Sequence, residues 1–206
     1  MVSRVLHVTD YYLPRLGGIE MHVSDLVAHQ RLSGVDASVA TTTAAGPVPD
    51  PDWVHRLGST LSPLAADEAL SRLLRATAPD VVHVHVSVWS PLAMLAARRA
   101  ARMGVPTLVT VHSLWSGYGP VPALARSLLR LRSLPLHWSA VSDRAAQPVR
   151  AVLGPGIPVD VLPNAVDVQS WRVTPREPDV PTIVSVMRLA RTKRPLPLAR
   201  MRCRSR

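Results

Sequence analysis

Six short runs suited to β-strands, each divided from the next by one segment of helical periodicity, constrain this chain more than any other feature. The runs are Arg4–Thr9, Ala37–Thr42, Asp80–Val86, Thr107–His112, His137–Val141 and Val159–Leu162. Between them lie Gly18–Leu32, Leu64–Ala78 (stopped by Pro79), Pro91–Met103, Val121–Arg132 and Asp143–Leu153. In the first of these, Ile19, Val23, Leu26, Val27 and Gln30 share one helical face. Strands joined through single helices pair in parallel, because a crossover returns the chain in the same direction. The expected class is therefore α/β: a Rossmann-like parallel sheet with helices on both faces, spanning residues 1–163. Ligands of such sheets bind beyond the carboxyl ends of the strands. Those ends are Asp10–Tyr12, Val86–Trp89, His112–Ser113, Ser142 and Pro163–Asn164.

Beyond this domain, residues 164–181 hold three prolines and mixed charge, and read as an interdomain linker. Thr182–Met187 reads as the first strand of a second domain, residues 182–206, of which only the start is present. Charge is divided the same way. The formal net charge is +10, yet residues 1–180 carry 16 basic and 14 acidic side chains, while residues 181–206 carry eight basic ones and no acid. The body is near neutral, and the tail lacks the aromatic side chains that would stack on bases, so nucleic acid is disfavoured as a partner. An apolar share of 47% fits a globular chain. The single Cys203 excludes an internal disulfide and any Cys-rich zinc site. No apolar run of the signal-peptide kind occupies the first twelve residues. The longest charge-free stretch, Met103–Ala125, is interrupted by glycines and prolines that break a spanning helix. The expected location is cytoplasmic, with peripheral contact at the inner face of the membrane left open.

Several motifs can carry chemistry. Gly17 and Gly18 lie between the first strand and the first helix, where backbone N–H groups and the helix dipole favour an anion. Against phosphate binding stands an ordinary glycine-rich turn. His83 and His85 alternate with valine and so share one side of their strand; for His83 a hydrogen-bonded core role is favoured, and for His85 the two roles balance. His112 ends a strand at the expected ligand edge, where an imidazole can meet a hydroxyl or phosphate. These three histidines lack a fourth ligand at a telling spacing, so no metal is assigned. Asp50 and Asp52 have carboxylate-pair spacing but sit among Gly46, Pro47 and Pro49, which reads as a polar loop. Arg188 and Lys193 follow the last strand-like run, and two cations there can clamp a diphosphate. Val121–Leu134 reads as a basic amphipathic helix, which either covers the sheet or rests on an anionic membrane.

In order along the chain, six segments resemble the retaining GT-B glycosyltransferases of family 4. They are residues 12–23 (YLPRLGGIEMHV), 79–85 (PDVVHVH), 104–113 (GVPTLVTVHS), 140–143 (AVSD), 162–167 (LPNAVD) and 186–194 (VMRLARTKR). The resemblance implies a sugar transfer from a nucleotide-sugar donor to a glycan, lipid or small-molecule acceptor, with the acceptor held by the N-terminal domain. It implies that Gly17 and Gly18 touch the donor diphosphate, that His112 contacts the donor sugar, and that Arg188 and Lys193 stabilise the leaving group. It further implies acceptor contacts from Tyr11, His85 and Ser142, a hinge at Asn164 and Asp167, and no cofactor or metal. The family's second domain continues through several more βα units and an acidic donor motif, whereas here the last twelve residues carry arginine as their only charged side chain. That ending resembles a truncation or a shifted reading frame, and implies little or no activity for the chain alone. The alternative function is a non-catalytic module that binds a glycan, lipid or polyol, its basic tail touching an anionic surface.

Overall fold

The computed structural model describes residues 2–58, 62–115, 130–174, 177–187, 189 and 193–200. The chain divides into two compact units, Met1–Val166 and Asp167–Arg206, with the division inside the segment expected to link domains. In the first unit seven strands form one sheet: β1 (Arg4–Thr9), β2 (Asp36–Thr41), β3 (Val54–Arg56), β4 (Val81–Val86), β5 (Thr107–Val111), β6 (Leu136–Ala140) and β7 (Val159–Val161). Their order is β3-β2-β1-β4-β5-β6-β7, and every neighbouring pair is parallel. The chain first winds outward from β1 to β3, then crosses back to place β4 on the other side of β1. This reversal opens a crevice at the carboxyl ends of β1 and β4, the usual ligand position of a doubly wound sheet.

The period-two pattern of the strands gives the sheet two unlike faces. Leu6, Val8, Val82, Val84, Val86, Val109 and Val111 point to one face and are all buried. There they meet α2 (Pro63–Thr77), α3 (Pro91–Arg102) and α4 (Asp143–Leu153). Ala93, Ala96, Ala97 and Ala100 face the sheet from α3, so small side chains let that helix approach closely. Each larger buried aliphatic contributes about 1.5–3 kcal/mol. The opposite face is covered by α1 (Gly18–Leu32), whose Val23 and Val27 pack on Ala37, Val39 and Tyr12. The middle of that face is polar, with His7, Thr9, His83, His85, Thr110 and Ser139 buried along it.

Helix starts follow local chemistry. Ser62 Oγ accepts from Ala65 N at the head of α2, and Ser142 Oγ accepts from Ala145 N at the head of α4. Helix α3 has no side-chain cap of its own. Instead Asp10, just past β1, accepts Leu92 N at 3.0 Å and Ala93 N at 3.1 Å through its two carboxylate oxygens. Its backbone carbonyl takes hydroxyl hydrogen bonds from Thr41, Thr42 and Thr43. One residue thus ties β1, the loop after β2 and α3 together at the crevice.

Three expectations change. The short edge strand β3 was not expected, because three residues carry too little pattern to read. Of the expected helix Val121–Arg132, residues 121–129 lie outside the described residues; Arg130 is left-handed (φ 50°), and Leu131–Ser133 form a single 3-10 turn with Leu131 buried. The same turn replaces the end of the amphipathic segment Val121–Leu134. Thr182–Met187 is not a strand: Ile183, Val184 and Val186 are exposed, since no described strand of its unit pairs with it. Among its described residues the second unit has one short helix, α5 (Pro195–Ala199).

Asp10→Asn removes one acceptor and turns an amide N–H toward a helix N–H. It should lower stability by about 1–3 kcal/mol in urea unfolding at pH 7. An unchanged midpoint would show that the cap on α3 is dispensable.

Candidate active site

The crevice edge is built by β1, β4 and β5, whose parallel register sets His7 beside His83 and Thr9 beside His85. His85 in turn lies beside Thr110, and Thr110 beside Ser139. Alternation sends all these side chains to the face under α1. There they form two hydrogen-bonded rows. In the first, His7 Nε2 lies 2.7 Å from Gln30 Oε1 of α1, His7 Nδ1 lies 3.0 Å from His85 Nε2, and His85 Nδ1 lies 3.0 Å from His112 Nε2. In the second, His83 Nε2 lies 2.7 Å from Thr110 Oγ1, which lies 2.7 Å from Ser139 Oγ; Ser139 also donates to Val109 O. His22, half-buried on α1, brings its ring centroid within 5.4 Å of His112.

Burial decides the charge of these rings. Desolvation lowers the pKa of His7 and of His112 from 6.5 to about 4, with the charge of His22 acting in the same direction. In His7 the Gln30 hydrogen bond offsets part of that shift. His83 and His85 are pushed well down by burial first and by neighbouring histidines second. At neutral pH the row is uncharged, so each ring has one N–H and one bare nitrogen. Asp10 moves the other way: burial raises it from 3.8 to about 6, although the Leu92 and Ala93 amides favour its ionised form.

The expected site residues fall in distinct places. His112 sits at the end of the row, its main-chain N–H bonded to Val86 O. His85 is fully buried with both nitrogens in hydrogen bonds, which leaves no ring nitrogen for an acceptor; it supports His112 instead. His83 is the bonded core histidine that was favoured. Gly17 precedes α1 in extended conformation, and a Cβ there would run into the Glu20 carboxylate, whereas a Cβ on Gly18 meets nothing. Glu20 is buried at the helix head and paired with Arg15 at 3.3 Å, and Arg15 also stacks on Tyr11 at 3.8 Å. The anion-favouring end of α1 therefore already holds a carboxylate of its own. Ser142 caps α4. Asp167 accepts from Gln169 N and Ser170 Oγ, and Asn164 is exposed. Lys193 is exposed in the second unit, and Arg188 lies outside the described residues.

Other groups are structural. Asp50 forms a two-pronged ion pair with Arg56 (2.6 and 2.9 Å), whose hydrogen bonds hold the carboxyl below its ordinary range, so the Asp50–Asp52 spacing serves a loop. His7, His83 and His85 offer nitrogens within 4.8 Å of one another, the geometry of a metal-binding triad. Both nitrogens of His7 and of His85 are engaged elsewhere, so a metal would have to break the row. An open depression of about 770 Å³ lies at the amino ends of β1 and β2, far from this edge; its Arg4 and Arg31 are paired with Asp80 and Asp36. Among the described residues no helix is long and apolar enough to cross a membrane.

Residues 16–170 match the family described as Glycosyltransferase Family 4. The chain belongs to glycosyltransferase family 4. It is 27% identical over 217 aligned positions to a GDP-mannose-dependent alpha-(1-6)-phosphatidylinositol monomannoside mannosyltransferase of Mycobacterium tuberculosis, covering 93% of this chain and 54% of the relative. A GDP-mannose-dependent alpha-mannosyltransferase of the same species is 30% identical over 195 positions, covering 84% and 50% respectively. The family 4 chain thus spans about half the length of the curated relatives it matches. Its fold is also that of UDP-N-acetylglucosamine 2-epimerases, at TM-score 0.55 for the enzyme of Methanocaldococcus jannaschii (18% identity, 80% of this chain, 46% of the other). The Rickettsia bellii epimerase gives TM-score 0.55 at 11% identity, over 78% and 44% of the two chains.

Within this family 4 domain, sequence reasoning missed His7, His22, Gln30 and Asp10 as members of the site. A signal existed for Gln30, which shares the apolar face of the first helix, and for His7, one of three histidines that alternate with apolar residues in strand-like runs. Histidines lowered from 6.5 to about 4 make the unfolded chain the better proton binder between those values, so stability falls as pH drops through that window. Asp10, raised from 3.8 to about 6, opposes this, but it is one group against four histidines. Urea unfolding at stepped pH should show a loss on the order of a few kcal/mol between about pH 6.5 and pH 4. A flat profile there would show that folding does not weaken proton binding by these histidines.

Proposed function

We propose that this chain is the acceptor-side part of a retaining mannosyltransferase that uses GDP-mannose and delivers mannose to a mannosylated lipid. The observation that carries the reading is the similarity, over nearly the whole chain, to relatives named for GDP-mannose. On this reading His112 meets the donor sugar at the carboxyl edge of β5. The Gly17–Gly18 turn lies along the donor diphosphate, with Gly17 extended at the head of α1 and the Glu20 carboxylate beside it. Tyr11 and Ser142 border the acceptor. Arg188 and Lys193 stabilise the diphosphate as charge develops on it, which makes a metal unnecessary. Asn164 and Asp167 serve as the hinge between the acceptor-side and donor-side parts.

Residues 1–206 alone are expected to bind acceptor well and donor poorly. Each missing charge-assisted contact to a nucleotide sugar costs about 1.5–3 kcal/mol, and several together cost orders of magnitude in affinity. The test pairs two measurements on the full chain: binding to micelles of phosphatidylinositol mannoside, and mannose transfer from GDP-mannose beside a complete relative. Expected are saturable acceptor binding, transfer slower than the relative by at least about 100-fold, and no effect of a chelator. Lack of binding would overturn the acceptor-side role. Transfer at the relative's rate would overturn the dependence on further donor contacts. Inhibition by the chelator would overturn metal independence.

A further inference from the structure

The histidine row has a direction, and the direction fixes what His112 can offer a ligand. A neutral imidazole donates from one nitrogen and accepts at the other. Gln30 presents its carbonyl oxygen to His7, so His7 Nε2 carries the proton and His7 Nδ1 is bare. A bare His7 Nδ1 requires His85 Nε2 to donate, which leaves His85 Nδ1 bare. That nitrogen requires His112 Nε2 to donate. The proton of His112 is thereby committed inward, and its Nδ1 holds a lone pair. A second observation agrees: His112 Nδ1 is buried and has no hydrogen-bond partner among the described residues. A buried N–H without a partner is rarer than a bare acceptor, so this end of the row is the lone-pair end.

We infer that Gln30, His7 and His85 are positioning residues that hold His112 in its Nε2–H tautomer, so that His112 meets its ligand as a hydrogen-bond acceptor. The group that it recognises is then a hydroxyl, which can donate. A phosphate or carboxylate, which can only accept, is turned away by the Nδ1 lone pair. On the reading of His112 as the donor-sugar contact, on which this last step rests, the row makes His112 selective for a sugar hydroxyl and leaves the diphosphate to other groups. Recognition is set from Gln30 on α1, through the His7 and His85 rings in the middle of the sheet face.

Long-range ¹⁵N–¹H correlation spectra of histidine-labelled full chain at neutral pH read each tautomer directly. Expected are Nε2–H and bare Nδ1 for His7, His85 and His112 alike. Gln30→Met keeps the length of the side chain and removes the acceptor, so the single tautomer of His112 should give way to a mixture. Gln30→Glu can only accept, so it should keep the wild-type pattern, which a merely space-filling role would not require. An Nδ1–H or doubly protonated His112 in the wild type overturns the inference, as does a Gln30→Met spectrum with His112 unchanged. If Gln30→Met fails to fold, the wild-type and Gln30→Glu spectra still decide it. Adding GDP-mannose or GDP separates the two readings. Because the chain alone binds donor weakly, each nucleotide is raised until other resonances stop moving. A shift of His112 Nδ1 at that point with GDP-mannose alone supports the hydroxyl contact. Saturation with the expected tautomers but no such shift leaves the row intact while overturning the sugar-contact role.

Discussion

Buried imidazoles must find partners, and in this domain they find one another. Parallel register places His7, His83 and His85 in the middle of a covered sheet face, where water is excluded and an unpaired ring nitrogen costs about 1–3 kcal/mol. The rings respond by giving up charge and sharing hydrogen bonds from α1 to the end of β5. Charge would cost more than the pairing returns, which is why burial heads the causes of every lowered histidine in the two rows. The packing on the other face, valine on alanine, is generic to doubly wound sheets. The polar face is what makes this one specific.

Asp10 complements that arrangement at the same edge. It closes the head of α3 with its carboxylate and gathers three threonine hydroxyls on its carbonyl, so the crevice between β1 and β4 is braced by hydrogen bonds. The site consequently rests on strand ends and helix heads held from below. His112 inherits this rigidity through its own main-chain bond to β4.

Much of the fold was legible because strands and helices alternate with clean periods. The strand Arg4–Thr9 and the helices Gly18–Leu32 and Asp143–Leu153 have the expected bounds, and the other expected elements of the first unit, Val121–Arg132 apart, move by about one residue. Strand order was not legible, and with it the meeting of His7 with His83 and His85. Those residues are neighbours only because β4 crosses to the far side of β1. The alternation of His83 and His85 did reveal a shared side, but not that His85 has both nitrogens engaged. Thr182–Met187 failed for the complementary reason: a strand pattern is a demand for partners, and within its unit no described strand meets it. The +10 charge also proved a poor guide, since the first unit organises itself around neutral rings.

A row of uncharged imidazoles, bonded to one another, holds the site. Neutron diffraction from deuterium-exchanged crystals of the full chain near neutral pH tests it most directly. A single deuteron is expected on each of His7, His83, His85 and His112, with one deuteron between each bonded pair. Two deuterons on any of these rings, or a metal ion seated among His7, His83 and His85, would contradict it.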